Sequence, residues 1–223
     1  RMSNDAGRPV AILGAGDDSQ SPEPMTNNAI GMIECMSIAL ALQHIRGNAR
    51  FSFINCLDKQ KYDRNGIENW LRAMERFGFP VEVIDNEEAS SFLNQVAKQI
   101  EDNSFDADEN HYIICAALDR CTTLGQKAKQ KTTVGFGVRL EDPFAKTSQS
   151  GTGIDALQII LRNGSQVGIH VLSWWTNVTI FKEHIGLRGD GYINTKIILR
   201  LDAQTMQKLL SNFSTQALDD NRA

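Results

Sequence analysis

The residues best placed to do chemistry lie in the loop that follows a short apolar stretch at 10–13. This loop carries the glycines Gly14 and Gly16 and three carboxylates, Asp17, Asp18 and Glu23. A glycine-rich loop between a strand and a helix can bind phosphates, because backbone N–H groups face the anion and the lysine of GxxxxGK[ST] reaches its outer oxygens. No lysine precedes Lys59, and the carboxylates would repel phosphate. Gly14 and Gly16 are therefore predicted to mark a vestigial nucleotide site.

A dinucleotide site is a second interpretation of the same loop, with Gly14 and Gly16 opening the pattern GxGxxG. The third glycine would fall at Ser19. The acid expected roughly 20 positions further on is also missing, since Asp58 follows the next apolar stretch much later. The spacing argues against a dehydrogenase-type site.

A second candidate for phosphate chemistry is Asp119, which comes directly after an apolar run at 112–117 and Leu118. An aspartate at the end of a buried strand can hold Mg²⁺, and a glutamate next to it can polarise the attacking water. Here Arg120 takes the place of that glutamate. Asp119 either binds a metal weakly or caps a turn or pairs with a base, and the missing lysine of the first loop favours the structural role.

Three further groups of residues are candidates for interactions with a partner. Lys127, Lys129 and Lys131 lie in the region 122–152, which has little periodicity and is predicted to be a long flexible loop. Lysines of this kind can contact a phosphate backbone, although without interleaved aromatic residues they are more often solvated. Arg162 can contact a neighbouring subunit or simply stabilise a helix C-terminus.

Trp174 and Trp175 form the third group, after an apolar strand predicted at 169–173. The carboxyl edge of an open α/β sheet is where ligands bind. Two interpretations remain open at this point. The rings either fill a vacated ligand crevice or anchor a peptide, or they are ordinary packing residues.

Size and composition indicate a single globular domain over 1–223. The chain has 41% hydrophobic and 22% charged residues, with a net charge of −4 that argues against nucleic-acid binding over its whole surface. No apolar run approaches the roughly 20 residues of a membrane span. Its start at Arg1 suggests a fragment of a longer protein. The four cysteines, Cys35, Cys56, Cys115 and Cys121, match no zinc pattern and are predicted to be buried thiols in a reducing cytoplasm.

The hydrophobic pattern predicts alternating strands and helices. Strands are expected at 10–13, 51–57, 81–84, 112–117, 169–173 and 193–201, and helices at 29–44, 66–77, 86–101, 154–161, 179–185 and 203–210. The helix at 29–44 is apolar almost all the way round and is therefore expected to be buried. This alternation is typical of an α/β domain with a mostly parallel sheet and helices on both faces.

The segment from Arg162 through Gly164 to Gly168-Ile169-His170 resembles the step before the sensor strand of FtsK/HerA-type DNA translocases and the related type VII secretion ATPases. That resemblance implies a three-layer, RecA-like fold of the P-loop NTPase type. In working motors the sensor strand ends in a Thr-Gln pair that senses the γ-phosphate, whereas this chain has Ser173-Trp174-Trp175.

The resemblance further implies a degenerate C-terminal domain of a motor protein. ATP and Mg²⁺ would bind elsewhere in the parent protein, with no cofactor in this domain. The expected partners are other domains of the same protein in a ring-shaped homo-oligomer, with DNA bound through the parent. A weak ATP-binding domain and a peptide-recognition domain remain the alternatives.

Overall fold

The computed structural model describes residues 9–14, 26–44, 48–57, 64–104, 109–125, 151–190, 192–193 and 195–199. The strands are β1 (Val10–Leu13), β2 (Ala49–Asn55), β3 (Val81–Asp85), β4 (Asn110–Ala116), β5 (Ile169–Trp175) and β6 (Thr195–Ile198). The helices are α1 (Thr26–Ala41), α2 (Arg64–Phe77), α3 (Ala89–Glu101), α4 (Gly153–Asn163) and α5 (Val178–Asp190). Short 3₁₀ helices span Leu118–Arg120 and Gly164–Val167.

The six strands form one sheet in the order β3-β2-β4-β5-β1-β6, and every described pair of neighbours is parallel. The connections from β1 to β2 and from β2 to β3 run towards the β3 edge of the sheet. The connections from β3 to β4, from β4 to β5 and from β5 to β6 run towards the β6 edge. Crossovers between parallel strands are right-handed, so opposite directions place helices on opposite faces. The result is a three-layer α/β fold, as predicted.

One face of the sheet is covered by α3, α4 and α5, and we call it the α3–α5 face. Its core contains fully buried side chains such as Leu93 of α3, Ile160 of α4 and Phe181 of α5. Helix α4 begins at a capping box in which Thr152 and Asp155 each accept a hydrogen bond from the other's backbone N–H. Such reciprocal caps fix where a helix starts.

The opposite face is covered by α1 and α2, and we call it the α1–α2 face. Its core contains Ile33, Trp70 and Met74 packed on the aromatic side chains of the sheet. A cavity of about 180 Å³ remains between α1 and the sheet. Its lining comes from α1, β1, β4 and β5: Val10, Met36, Ala39, Leu40, Gln43, Tyr112, Ile114, His170, Val171 and Leu172.

Several predicted boundaries need correction. β5 does not stop at Ser173 but continues through both tryptophans, because aromatic side chains buried on both faces continue a parallel strand well. Residues 179–185 belong to a longer helix, α5, which ends at Asp190 and so includes most of the turn expected at 187–191. The prediction that α1 is buried all round is wrong, because Leu42, directly after the helix, is 67% exposed and Cys35 is exposed.

Some predictions concern parts of the chain outside the described residues. They are the assignments for Gly16, Asp17, Asp18 and Glu23, the lysines Lys127, Lys129 and Lys131, most of the predicted loop at 122–152, and the helix at 203–210.

Candidate functional site

The carboxyl ends of β1, β4 and β5 lie together at the point where neighbouring strands are followed by helices on opposite faces of the sheet. β1 leads to α1 on one face, and its neighbour β5 leads to α5 on the other. Open α/β sheets bind ligands in the crevice at such a switch point. The edge carries Gly14 after β1, Asp119 after β4 and Thr176 after β5, and we call it the switch-point edge.

Gly14 is hydrogen-bonded on both sides of its peptide backbone. Its N–H donates to the Trp175 carbonyl at 2.9 Å, and its carbonyl accepts the indole N–H of Trp174 at 2.7 Å. Its φ of 98° lies in the left-handed region, where a side chain would be strained. The first N–H of the loop therefore continues the sheet instead of facing a ligand.

The two tryptophans point to opposite faces of the sheet, as successive residues of a strand must. Trp174 belongs to the core of the α1–α2 face, and Trp175 belongs to the core of the α3–α5 face. The Trp175 ring packs edge-on against Phe181 at 5.3 Å between centroids, and its N–H donates to Ser173 Oγ at 3.0 Å. Both residues have 0% exposure.

This burial corrects the interpretation of Trp174 and Trp175 as an interaction edge. An anchor for a peptide must present its ring to the partner, and neither ring is accessible. The peptide-recognition alternative as a whole stays a prediction, since it rests on the resemblance to secretion ATPases and on an apolar pocket near the tryptophans. The indole of Trp174 lies beside Gly14 through its hydrogen bond to the Gly14 carbonyl, and the other interpretation, that the rings fill a vacated ligand crevice, stays a prediction.

Asp119 is held by the residue that follows β5. Its Oδ1 accepts the backbone N–H of Thr176 at 2.7 Å, and its Oδ2 accepts the Thr176 hydroxyl at 2.6 Å. The residue Ala117, two positions earlier, has a φ of 53°, which turns the chain sharply after β4. Asp119 therefore clamps the ends of two adjacent strands, a structural role of the kind that its sequence context favoured. Sequence reasoning missed Thr176, because the pairing requires the strand order.

Three cysteines lie near this clamp on the α3–α5 face. Cys56 follows β2 and donates its N–H to the Ala116 carbonyl at 3.1 Å, Cys115 lies in β4, and Cys121 follows the 3₁₀ helix after β4. Cys56 and Cys115 are buried and Cys121 is half-buried, whereas Cys35 is exposed, contrary to prediction. The Cys121 sulfur contacts the Asn86 carbonyl at 3.9 Å and the Thr123 hydroxyl at 3.4 Å.

Arg162 lies far from the switch-point edge, in the last turn of α4. Its Nε donates to the Tyr192 hydroxyl at 2.9 Å, and its guanidinium lies 5.2 Å from the centre of the same ring. Because α4 ends where β5 begins, this contact is at the amino edge of the sheet. The structure therefore separates Arg162 from Gly14 and Asp119, although the exposed Arg162 can still meet a partner.

The glycines around Arg162 have steric roles. Gly168 has a φ of 78°, and a Cβ there would lie 3.2 Å from the Glu109 carbonyl. A Cβ on Gly164 would lie 3.1 Å from the Ile169 carbonyl. Gly168 is favoured by its left-handed backbone, and at Gly164 a Cβ would be crowded against the backbone at the start of β5. The motif that carries the resemblance is thus explained by packing at the start of β5.

A chain of polar side chains, buried at Ser52 and His111 and exposed at its two ends, also crosses β2, β3 and β4 on the α3–α5 face. Arg50 can only donate, so its bond to His111 Nδ1 at 3.0 Å places the ring hydrogen on Nε2. That nitrogen donates to Ser52 Oγ at 2.9 Å, and Ser52 donates to Glu82 at 3.1 Å. Burial, together with the Arg50 charge, lowers the pKa of His111 to about 3. The ring is therefore neutral and structural.

Within the described ranges, no group of three or more His, Cys, Asp or Glu side chains is arranged to hold a metal ion. None of the helices in that part of the chain is long and apolar enough to cross a membrane.

Comparison with solved structures shows the same fold in domains of translocation ATPases. The pCW3 conjugation coupling protein TcpA, in its monomer form with ATPγS, matches 93% of this chain with a TM-score of 0.55 at 12% identity. The structure of ATPases 2 and 3 of EssC from Geobacillus thermodenitrificans matches 97% with a TM-score of 0.55 at 9% identity. The cytoplasmic domain of the Thermomonospora curvata type VII secretion ATPase EccC matches 90% with a TM-score of 0.54 at 10% identity.

The chain spans 54%, 36% and 20% of the lengths of these three structures. No family model matches the sequence, and no curated protein matches it. At these identities the likeness shows an ATPase-type fold.

Proposed function

We propose that this chain is an ATPase-like domain without ATP hydrolysis of its own, which supports the assembly or regulation of a motor in a longer protein. The observation that carries the proposal is the hydrogen bonding at the switch-point edge. There the groups that would serve a nucleotide already bind other parts of the chain. Gly14 uses its N–H and its carbonyl on the two tryptophans, and Asp119 uses both oxygens on Thr176.

Magnesium binding at Asp119 would have to compete with this clamp. Mg²⁺ requires a near-octahedral set of oxygen ligands and usually keeps several waters. Each Asp119 oxygen already accepts a hydrogen bond, at 2.7 Å for Oδ1 and 2.6 Å for Oδ2. The neighbouring Arg120 cannot act as a base towards water, since its guanidinium stays protonated. Both features favour a structural carboxylate over a catalytic one.

The exposed surface of α1 supports the assembly role. Cys35, Ile38, Ala39 and Leu42 follow one another at helical spacing along its outer side; Cys35, Ala39 and Leu42 are exposed, and Ile38 is half-buried. We call this set the α1 stripe. An apolar stripe on a helix is stabilised by covering it. We propose that another domain of the longer protein covers it, with the exposed Arg162 as a second contact.

The wider setting remains part of the same proposal. The parent protein would bind ATP and Mg²⁺ in a separate motor domain, assemble as a ring-shaped homo-oligomer in the cytoplasm, and act on DNA. The conjugation coupling protein supports this setting, whereas the secretion ATPases favour a protein substrate for the motor. The lysines Lys127, Lys129 and Lys131 remain candidates for a contact with a phosphate backbone.

Isothermal titration of the chain with Mg-ATP tests the central claim. We expect no saturable heat below about 1 mM nucleotide, which corresponds to less than roughly 4 kcal/mol of binding free energy. Micromolar binding would overturn the claim and favour the weak ATP-binding alternative. In that case Asp119→Asn should abolish the Mg²⁺ dependence, while Asp85→Asn, an exposed acid at the same end of β3, should leave it unchanged.

A further inference from the structure

We propose that the cavity of about 180 Å³ between α1 and the sheet is a binding site for a small, neutral aromatic molecule that carries one hydrogen-bond donor. We call it the α1 cavity. Its lining residues Val10, His170 and Tyr112 are the first, second and third residues of β1, β5 and β4, so it lies towards the amino ends of these strands. Gly14 and Asp119 lie at the opposite edge, and the inference therefore holds whether or not the domain binds ATP.

A row of stacked rings crosses the sheet and ends at this cavity. Phe51, Tyr112 and His170 lie in register on β2, β4 and β5. The ring centres of Phe51 and Tyr112 are 5.1 Å apart with 19° between the planes, and those of Tyr112 and His170 are 5.1 Å apart with 26°. β1 begins only at Val10, in register with Leu172, so it places no residue opposite His170. A planar ligand can therefore continue the row on the side of His170 that is turned away from Tyr112.

The walls of the α1 cavity suit an uncharged ring. Met36 and Leu40 line it from α1, while Val10 and Leu172 line it from β1 and β5. A methionine sulfur makes favourable contacts with aromatic rings. Within the part of the chain that the structure describes, the lining contains no Asp, Glu, Lys or Arg. A charged ligand would lose its hydration without gaining an ionic partner, so the cavity selects a neutral ligand.

The Tyr112 side chain brings a polar group to the α1 cavity. Its hydroxyl is bonded to His44 Nε2 at 2.7 Å. A phenolic hydroxyl has one proton to donate and lone pairs to accept with, so either direction of that bond leaves a lone pair for the O–H or N–H of a ligand. Burial raises the pKa of Tyr112 and is the main cause that lowers the pKa of His44. Both groups are therefore neutral near pH 7.

The volume and the surrounding backbone point to a free small molecule. An apolar cavity of about 150 Å³ binds benzene, whereas pockets for drug-sized ligands hold roughly 300 Å³ or more. The α1 cavity therefore has room for one ring or a small fused pair. An aromatic side chain of a peptide would bring backbone groups that need partners. β4, β5 and β1 each have a strand on both sides, so they offer no open edge for such a backbone.

A ligand-observed NMR titration of the folded chain tests the proposal, with indole and phenol as probes. We expect saturable binding with a dissociation constant below about 1 mM. Toluene lacks a donor and cyclohexanol cannot stack, so each should bind about three- to tenfold more weakly than phenol. A dissociation constant above about 1 mM for both indole and phenol would overturn the proposal. Tighter binding of a tryptophan-containing peptide than of indole would also overturn it, in favour of a peptide site.

Two tryptophan substitutions near the end of α1 locate the binding. Leu40→Trp places a ring in the α1 cavity and should abolish the binding of indole. Leu42→Trp adds the same ring at a position that is 67% exposed and outside the lining, and should leave the affinity unchanged. Binding that survives Leu40→Trp, or that both variants abolish, would overturn the proposal. Circular dichroism establishes that each variant is folded, and Ala39→Phe, at an exposed position of the lining, replaces Leu40→Trp if that variant does not fold.

The Tyr112→Phe variant tests the hydrogen bond while it keeps the row of rings. Phenol should then bind no more tightly than toluene, and the affinity for toluene should stay close to that of the parent chain. A preference for phenol that persists in this variant would overturn the contact between the ligand donor and the Tyr112 oxygen.

Discussion

The two faces of the sheet are covered to different extents. On the α3–α5 face, three helices surround a continuous core that includes Ile160 and Phe181 at 0% exposure. On the α1–α2 face, a cavity of about 180 Å³ that is open to solvent lies beside α1, and the apolar α1 stripe faces outward.

This difference indicates which part of the domain is self-sufficient. The α3–α5 face buries its apolar side chains within the chain and needs no partner to cover them. The α1–α2 face leaves apolar surface in contact with solvent, as expected for a region that a partner covers in a larger assembly. The α1 helix is therefore the candidate for contacts outside the domain.

The largest expected effect is on the free energy of unfolding, when one isoleucine on each face is replaced by alanine. Ile160→Ala removes a side chain that is fully buried on the α3–α5 face and should cost about 3 kcal/mol of unfolding free energy. Ile38→Ala removes the same atoms from the half-buried α1 stripe and should cost roughly 1 kcal/mol, because solvent already touches the site. Urea denaturation of both variants measures the difference. Equal losses would contradict the unequal packing of the two faces.

Much of the fold was predictable from the sequence because apolar runs and breaks mark strands in an alternating α/β chain. The five helices in the described ranges and all six strands lie close to their expected places. The end of β5 was misplaced because Ser173-Trp174-Trp175 stands where the Thr-Gln pair ends the strand in the resembled motif, whereas packing on both faces extends the strand here. The burial of α1 was overestimated, since periodicity cannot show whether a partner helix exists.

The candidate site was predictable only in part. Asp119 and Gly14 were found because each directly follows a predicted strand, and strand ends are where α/β sites form. Their partners could not be found, since Thr176 and the tryptophans come from β5 and its end, which are adjacent only in the folded sheet.

A smaller effect is expected from pH, through the two histidines that sit on opposite faces. The pKa of His111 is about 3 in the folded chain and about 6.5 when unfolded. Between these two pH values the unfolded chain therefore binds one more proton at His111 than the folded chain does. The contribution of the neutral His111 ring to the unfolding free energy is complete above about pH 6.5 and is lost as the pH falls towards about 3. The expected slope from His111 is about 1.4 kcal/mol per pH unit.

Urea denaturation between about pH 4.5 and 7, a range that includes the roughly 6.5 reference pKa of histidine, measures how the unfolding free energy depends on pH in two variants. His111→Gln should flatten the pH dependence relative to the parent chain, even if it lowers stability overall. His44→Gln should change the slope less. His44 lies on the α1–α2 face, half-buried, with its ring bonded to the Tyr112 hydroxyl at 2.7 Å and its pKa lowered mainly by partial burial. A larger change for His44 would contradict the contrast between the faces.

The smallest effect on stability, but the most direct probe of the open face, is expected for Leu42→Lys. Leu42 is 67% exposed, so the change should alter the unfolding free energy by less than about 0.5 kcal/mol. It should nevertheless weaken binding of a hydrophobic dye and any concentration-dependent self-association seen by light scattering, because a charge interrupts the α1 stripe. The matched control is Val83→Lys on the edge strand β3, where Val83 is 45% exposed. If both lysines reduced dye binding equally, the apolar surface would be general and α1 would have no special role. A loss confined to Leu42→Lys would instead locate the uncovered surface on α1, the helix that leads from the switch-point edge.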